Sequence, residues 1–225
     1  MTIPPALPSA SVIIMRDISG FLEVLLVKRN SKIVFHGGAW VFPGGKVDPE
    51  DHALEPDGSE IDVARRAAVR EVNEEAGLVM DPADLCEFSH WTTPENQPKR
   101  FAAWFFVGIV ASDSKVVVDG SEIVDHRWVG VDEALSQRES GEIILPPPAY
   151  ISLLKIRAFT DGNAVLRHVA QNGPQLFAPK VLELDNGRCS LYTEDAGYDS
   201  NELTEDGPQH RLHMLKSGWE YIENY

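Results

Sequence analysis

Three glutamates near the middle of the chain have the residue type and spacing for metal-dependent chemistry. Glu71, Glu74 and Glu75 lie in an acidic run that ends in a glycine. On a helix, positions i, i+3 and i+4 share one face, so the three carboxylates would lie side by side. Like charges at this spacing weaken an isolated helix, and a bound cation would relieve their repulsion. Hard carboxylate oxygens suit Mg²⁺ or Mn²⁺, so the pattern favours a site for one of these ions.

The residues on both sides of these glutamates complete a longer pattern. Residues 42–46 read Phe-Pro-Gly-Gly-Lys, and residues 70–78 read Arg-Glu-Val-Asn-Glu-Glu-Ala-Gly-Leu. The two segments together resemble the signature of the Nudix hydrolases, G-x5-E-x7-R-E-U-x-E-E-x-G-U, where U is a bulky aliphatic residue. An acidic helical cluster alone is a weak indication, because such runs are usually solvated faces. The upstream glycines and the downstream aliphatic and glycine positions make the whole pattern specific.

The middle of the signature departs from the family pattern. Residues 46–61 make 16 positions where the signature has five, so 11 residues are extra. Counting back from Arg70 places Asp62 at the first acidic position, whereas counting forward from Gly45 places Asp51 there. Both aspartates remain open at this stage. The prolines and glycine of the insertion predict an excursion between the loop and the helix.

The resemblance implies a fold, a reaction and a set of site residues. The expected fold is α/β (α+β), a Nudix-like α/β/α sandwich with a mixed sheet, followed by a C-terminal helical and β-hairpin extension. The expected reaction is hydrolysis of the pyrophosphate bond in a nucleoside diphosphate linked to another group, with Mg²⁺ or Mn²⁺ as cofactor. The metal ligands implied are Glu71, Glu74, Glu75 and the carbonyl of Gly44. Arg70 precedes Glu74 by four residues and can orient its carboxylate, so both are also assigned to catalysis.

The resemblance implies a general base either on this helix or on a later loop, and the substrate contacts are expected from basic residues elsewhere. A base that deprotonates the attacking water typically contributes ~10²–10⁴-fold to the rate. Glu122, in an Asp-Gly-Ser-Glu loop, is the first candidate for this base, and Glu95 is the second. Phosphate contacts are predicted for the basic residues Arg29, Lys99 and Arg100.

The order of features around the signature indicates a substrate class. Five features follow one another along the chain: Val-Phe-Pro-Gly-Gly, the insertion, Trp-Thr-Thr-Pro at 91–94, Lys-Arg-Phe at 99–101 and Phe-Phe at 105–106. This order is similar to the coenzyme A diphosphatase branch of the family, whose signature is interrupted. The branch implies hydrolysis of coenzyme A or acyl-coenzyme A. Two alternatives stay open: a pyrophosphatase of ADP-ribose, NADH or dinucleoside polyphosphates, and a non-catalytic nucleotide-sensing domain on the same fold.

The composition narrows the class of partner. The chain has 225 residues, of which 43% are hydrophobic and 24% charged, as in ordinary globular proteins. Its net charge of −15 argues against a nucleic-acid polymer or an anionic membrane as partner. A small nucleoside diphosphate stays compatible, because a bound metal and nearby basic residues set the local field. The cysteines Cys86 and Cys189 form no C-x-x-C pair, so we expect reduced thiols and a cytoplasmic protein.

Periodicity and chain breakers predict the elements that must position these residues. Strands are expected at 10–16, 21–28, 39–42, 84–92 and 100–110, with a further pair at 115–118 and 126–129. Helices are expected from near Ser59 to Gly77 and over 131–138, 149–157 and 161–171. An apolar stripe should pack the first helix on the sheet and leave its glutamates on another face; it comprises Ile61, Ala64, Ala68, Val72 and Ala76.

The C-terminal part differs in character from the rest. We predict a Nudix domain over residues 1–172 and an extension over 173–225 that packs on the same domain. The extension should hold two β-hairpins, at 180–192 and 211–222, joined by the acidic loop 194–208. It lies outside the resemblance, and three roles stay open: it covers a sheet edge, lines the substrate cleft, or pairs with a second copy in a homodimer.

Overall fold

The computed structural model describes residues 3–33 and 36–225, which divide into two compact units. The larger unit comprises residues 7–90 and 103–175, and the smaller unit comprises residues 3–6, 91–102 and 176–225. The strands are β1 (Ala6–Ile18), β2 (Phe21–Arg29), β3 (Trp40–Val41), β4 (Gly44–Lys46), β5 (Cys86–Thr92), β6 (Arg100–Ile109), β7 (Ile123–Gly130), β8 (Gln175–Phe177), β9 (Lys180–Leu184), β10 (Gly187–Leu191), β11 (Gln209–Leu215) and β12 (Gly218–Asn224). The helices are α1 (Pro49–Leu54), α2 (Glu60–Ala76), α3 (Val131–Glu139), α4 (Pro147–Ile156) and α5 (Gly162–Asn172), with a 3₁₀ turn at Pro82–Asp84.

The larger unit is built on a sheet with the strand order β3-β2-β1-β6-β5. β4 also pairs with β1, and β7 pairs with β2. The predicted hairpin between β1 and β2 is confirmed, with Met15 opposite Val24 and Ile18 opposite Phe21. Ser19 and Gly20 close its turn with φ angles of 51° and 85°. Positive φ at both central residues matches the twist of the strands, which is why this short connection forms.

The strand pair predicted at 115–118 and 126–129 is wrong. Residues 114–119 form no strand, and β7 instead pairs antiparallel with β2, placing His126 opposite Val27 and Trp128 opposite Leu25. The alternating pattern at 115–118 has another cause: Val116 and Val118 pack against the core beside α2. Alternation records which residues are buried, not which strand they pair with.

Helix α2 covers one face of the sheet. Its N-cap Ser59 accepts a hydrogen bond from the Asp62 N–H, the Asp62 carboxylate accepts from the Ser59 N–H, and Gly77 ends the helix at φ 66°. The start and end of the predicted helix are therefore confirmed. The shared core combines small helix residues (Ala64, Ala67, Ala68, Val72, Ala76) with strand residues (Val12, Ile14, Leu25, Val27, Phe106). This packing fixes the helix and so fixes the directions of its glutamates.

The opposite face of the sheet is buried as well. Val12, Ile13, Ile14 and Met15 are all fully buried. Of these four, only Val12 and Ile14 belong to the core beside α2. Successive strand residues point to opposite faces, so Ile13 and Met15 are covered from the other side. The prediction of an α/β fold around a mixed sheet is confirmed.

The smaller unit holds an antiparallel sheet in the order β12-β11-β10-β9. Both predicted hairpins are present, and β10 pairs with β11, with Cys189 opposite His213, so they form a single sheet. The rings of Trp91 and Phe177 stack with centroids 3.9 Å apart, and Tyr192 meets both edge-on. Cys86 and Cys189 are free thiols.

A buried ion pair ties the loop between the two hairpins. Asp195 accepts hydrogen bonds of 2.7 Å from Nε and Nη2 of Arg211, and the two side chains are 0% and 3% exposed. The N–H groups of Gly197 and His210 donate to the same carboxylate. Such additional bonds offset the cost of burying two charges, so the start of this loop is well defined.

None of the helices in the described part of the chain is long and apolar enough to cross a membrane.

Candidate active site

Two of the three glutamates turn from α2 toward the glycine turn. Glu75 is 5% exposed, and its Oε2 accepts a hydrogen bond of 2.9 Å from the N–H of Gly44. Glu71 lies against Gly45 so closely that a Cβ there would be 2.3 Å from the Glu71 carboxyl carbon. The turn is held by β4, in which Gly45 lies opposite Ala10 of β1. Glycine is therefore required at position 45 for the carboxylate to approach the backbone.

Burial dominates the electrostatics of these two carboxyl groups. It raises the pKa of Glu75 to about 8, against the lowering effect of the Gly44 hydrogen bond. It also raises the pKa of Glu71, although Arg70 opposes the shift. Both groups thus pay a desolvation cost for ionising, and a nearby divalent cation would remove that cost. One buried and one half-buried carboxylate beside a glycine cradle fit the metal that the signature implies.

Glu74 takes a different direction from the other two glutamates. Its side chain is 57% exposed, and its Oε2 lies 3.3 Å from Nη1 of Arg70. Within residues 3–33 and 36–225, no three His, Cys, Asp or Glu side chains converge as a ligand cluster. The structure therefore brings Glu71 and Glu75 to the turn at Gly44 and leaves Glu74 outside this pair. The ligand roles of Glu74 and of the Gly44 carbonyl stay predictions.

Arg70 is held by an aspartate from the insertion. Its Nε and Nη2 donate to the two oxygens of Asp51 at 3.1 and 2.9 Å, and its Nη1 donates to Glu71 at 2.9 Å. Nη2 also donates to the carbonyl of Lys46 at 2.9 Å. Because a guanidinium is planar and forked, these bonds set its orientation. Arg70 thus joins the insertion, the glycine turn and α2.

The geometry answers which aspartate meets Arg70. Asp51 is 1% exposed; burial alone would raise its pKa, but hydrogen bonds from Arg70 and from the Asp48 N–H hold it below its ordinary value. Asp62 instead lies 44% exposed in the first turn of α2, where it bonds Ser59. Of the two candidate aspartates, Asp51 is therefore the one that contacts Arg70.

The predicted excursion at 46–61 contains a helix, α1, that the sequence analysis missed. Its N-cap region forms a capping box, in which the Asp48 N–H donates to Oδ2 of Asp51 at 2.8 Å. Pro49 occupies the first helical position, where proline is favoured. The spacing Asp-Pro-x-Asp was a readable signal for this start. The hydrophobic pattern did not predict α1, because a helix of six residues is too short to show apolar periodicity.

Two candidates from distant segments meet near α2. Nη2 of Arg29 lies 3.7 Å from Oε2 of Glu122, and the side chains are 18% and 68% exposed. Burial, the Gly44 hydrogen bond and the charge of Glu71 have the largest effects on the pKa of Glu75. Smaller effects follow: the positive charge of Arg29 lowers this pKa, and the negative charge of Glu122 raises it. Nε of Arg29 is buried and has no hydrogen-bond partner within the described chain. The structure thus places a guanidinium and an exposed carboxylate within the electrostatic reach of Glu75.

The other predicted contacts lie in the smaller unit. Nε and Nη1 of Arg100 donate to the carbonyls of Thr93 and Pro4 at 3.0 and 2.9 Å. The ammonium of Lys99 lies 5.2 Å from the centroid of a phenylalanine ring. Glu95 lies in the same loop, which connects β5 and β6. These contacts order the loop itself, and the substrate roles of Lys99 and Arg100 stay predictions.

Comparison with known proteins identifies the family. A family model described as the NUDIX domain matches residues 5–146, which is more than half of the chain and includes both halves of the signature. The chain belongs to the Nudix family. The predicted membership of this family is confirmed by the match.

Curated relatives are about a quarter identical to the chain over the aligned residues. "Putative nudix hydrolase 7" of Caenorhabditis elegans is 28% identical over 174 residues, covering 62% of this chain and 57% of that protein. Acyl-coenzyme A diphosphatase NUDT19 of Homo sapiens is 27% identical over 149 residues, covering 57% and 40%. The protein of the same name from Xenopus laevis is 25% identical over 133 residues, covering 53% and 35%. The matches therefore span from about a third to just over half of these relatives.

Solved structures agree on the fold. A NUDIX hydrolase from Alicyclobacillus acidocaldarius has a TM-score of 0.67 at 21% identity, covering 74% of this chain and 97% of that chain. The NUDIX domain of Shewanella oneidensis NrtR complexed with ADP ribose has a TM-score of 0.52 at 15% identity, covering 69% and 88%. At these identities the likeness shows the fold alone.

Proposed function

We propose that this protein is a divalent-metal-dependent diphosphatase that acts on coenzyme A or acyl-coenzyme A, with Mg²⁺ or Mn²⁺ as cofactor. The observation that carries the proposal is the packing of the buried Glu75 and the half-buried Glu71 against the turn at Gly44 and Gly45. The interrupted signature and the two relatives named acyl-coenzyme A diphosphatase support the substrate class.

In the proposed reaction, water attacks one phosphorus and the bond from phosphorus to the bridging oxygen breaks. The products are 4′-phosphopantetheine, or its acyl form, and adenosine 3′,5′-bisphosphate. Glu71 and Glu75, with Glu74 and the Gly44 carbonyl, would hold the metal, which when bound would neutralise the pyrophosphate and polarise the attacking water. Glu122 accepts the proton of that water.

The basic residues have separate tasks in this scheme. Arg70, anchored on Asp51, orients the carboxylate of Glu71 through a bond of 2.9 Å. Arg29 donates to a phosphate oxygen, a role suited to a guanidinium with an unused buried Nε. Lys99 and Arg100 stay predicted phosphate contacts, and the 3′-phosphate is the group that distinguishes coenzyme A from ADP-ribose. The protein is proposed to work in the cytoplasm on small molecules, with no nucleic-acid polymer or membrane partner.

The test is a substrate panel in the presence of Mg²⁺ or Mn²⁺. Purified protein is offered coenzyme A, acetyl-coenzyme A, ADP-ribose, NADH and diadenosine polyphosphates, and the products are separated by chromatography. We expect the highest kcat/KM with the coenzyme A compounds. A clear preference for ADP-ribose, NADH or the dinucleotides would reject the substrate and keep the reaction class. Nucleotide binding without turnover of any compound would instead indicate a sensing domain.

A pair of variants tests the assignment of the site. Glu75→Gln should abolish metal-dependent turnover and leave the circular dichroism spectrum unchanged, because the amide still accepts the Gly44 hydrogen bond but cannot carry charge. Glu133→Gln, on the exposed side of α3, is the matched control and should turn over substrate like the wild type. Near-normal turnover by Glu75→Gln would reject the site.

A further inference from the structure

The loop that carries Glu122 is closed on itself by one carboxylate. Oδ2 of Asp119 accepts hydrogen bonds from the N–H of Ser121 at 2.9 Å, from the N–H of Glu122 at 2.8 Å and from the Ser121 hydroxyl. Its Oδ1 accepts from the N–H of Ile123 at 2.8 Å. Burial alone would raise the pKa of Asp119, but these bonds outweigh it and lower that pKa to about 2. The acceptor is therefore charged throughout the neutral range.

A second residue ties the same loop to the end of β2. The N–H of Asn30 donates to the carbonyl of Glu122 at 2.8 Å, and its Nδ2 donates to the carbonyl of Ser121 at 2.9 Å. Asn30 follows Arg29, the residue that pairs with the Glu122 side chain. Ile123 is fully buried and anchors the exit of the loop in the core beside α2.

Both main-chain polar groups of Glu122 are thus bonded, one to a side chain and the other to a main-chain N–H, while the Asn30 side chain bonds the carbonyl of the preceding Ser121. Its N–H donates to Asp119 and its carbonyl accepts from Asn30. The Glu122 side chain itself is 68% exposed, so packing does not determine where its carboxylate lies. A general base must stay within hydrogen-bond reach of the proton it removes. Backbone anchoring fixes the main-chain position from which this exposed carboxylate extends.

We infer that Asp119 and Asn30 are positioning residues that hold Glu122 for proton abstraction, an inference that rests on the proposed function. The Asp119 side chain acts through the N–H of Glu122, and the Asn30 side chain acts through the carbonyl of the preceding residue, Ser121. Misplacing a reacting group by about 1 Å costs on the order of 10² in rate. Releasing one anchor should therefore lower kcat and leave KM and the metal dependence unchanged.

A double-mutant cycle separates positioning from a general structural role. Asp119→Ala, Asn30→Ala, Glu122→Gln and the two double variants are compared on the best substrate of the panel, with the melting temperature of each recorded. We expect Glu122→Gln to lower kcat by ~10²–10⁴-fold. Asp119→Ala should lower kcat by about 10²-fold in the wild-type background. The same change should cause no further loss when Glu122 is already glutamine.

Two further variants keep the cycle interpretable. Asp119→Asn keeps one acceptor oxygen and should restore part of the lost kcat, and it replaces Asp119→Ala if that variant does not fold. Asp185→Ala removes an exposed aspartate from the turn between β9 and β10 and is the matched control, with kcat unchanged.

Each contrary outcome points to a different error. An equal loss of kcat in both backgrounds, or wild-type kcat for folded Asp119→Ala and Asn30→Ala, overturns the inference and leaves the diphosphatase standing. Normal turnover by Glu122→Gln also overturns it, because there is then no base to position. A wild-type protein that hydrolyses nothing in the panel overturns the proposed function and this inference together.

Discussion

Replacing Asp51 by alanine should destabilise the protein and impair its site together. Asp51 is 1% exposed and receives two hydrogen bonds from Arg70, whose side chain is 22% exposed. Removing one partner of a buried ion pair costs about 3–5 kcal/mol. Arg70 keeps its bonds to Glu71 and to the Lys46 carbonyl, so we expect the lower end, about 3 kcal/mol of unfolding free energy. The same change removes the capping box of α1.

The activity should fall because Arg70 loses its anchor. A guanidinium held on one side only can swing, and Glu71 moves with it. A displacement of about 1 Å would lower kcat on the order of 10²-fold. Asp51→Asn keeps one acceptor for Arg70 and should lie between the wild type and Asp51→Ala in both measurements.

Asp62→Ala is the matched control within the same segment. Asp62 is 44% exposed and caps α2 through Ser59, and it makes no recorded bond to Arg70. Its loss should cost about 1 kcal/mol, the usual cost of a helix cap, with kcat unchanged. Urea unfolding followed by tryptophan fluorescence gives the stabilities, and turnover well below the melting temperature gives kcat. A larger loss of kcat for Asp62→Ala than for Asp51→Ala would refute the assignment of Asp51 to Arg70.

Two predictions concern the buried glutamates. Without metal, the pKa of Glu75 is raised by burial from its ordinary 4.5 to about 8, so the folded state holds a proton that the unfolded state has lost. Stability in EDTA should therefore be highest below pH 4.5 and fall as pH rises toward 8, by at most about 5 kcal/mol. In urea titrations at pH 5 and pH 8, Glu75→Gln should show no such fall in unfolding free energy. The prediction is wrong if the wild type and the variant lose the same unfolding free energy between the two pH values. Gly45→Ala should lower metal-dependent kcat on the order of 10²-fold with little change in stability, because its Cβ would lie 2.3 Å from the Glu71 carboxyl carbon and push that flexible side chain away. Gly130→Ala, at φ −65° with no heavy atom within 4 Å of the added Cβ, is the control, and normal turnover by Gly45→Ala would reject the cradle.

Much of the fold was readable from the residues because its causes are local. The capping box of Ser59 and Asp62, the apolar stripe of α2 and the left-handed Gly77 all act within a few positions of one another. The same is true of the turn at Ser19 and Gly20, whose backbone angles favour a tight hairpin. The signature residues from Arg70 onward needed no tertiary information, because they are consecutive on one helix.

Pairings across long stretches of chain could not be read in the same way. The pairing of β7 with β2, and that of β10 with β11, join segments whose alternation is compatible with several partners. The alternation of residues 115–118 shows the consequence, since Val116 and Val118 are packed in the core without forming a strand.

The same limit applied inside the site. Spacing on the helix put Glu71, Glu74 and Glu75 together, but packing of α2 on the sheet buried Glu75, half-buried Glu71 and left Glu74 largely in solvent. Counting residues left Asp51 and Asp62 equal. Only folding decides between them, because it brings Asp51, 19 residues earlier in the chain, within hydrogen-bond distance of Arg70. A partly buried guanidinium needs such a charged partner.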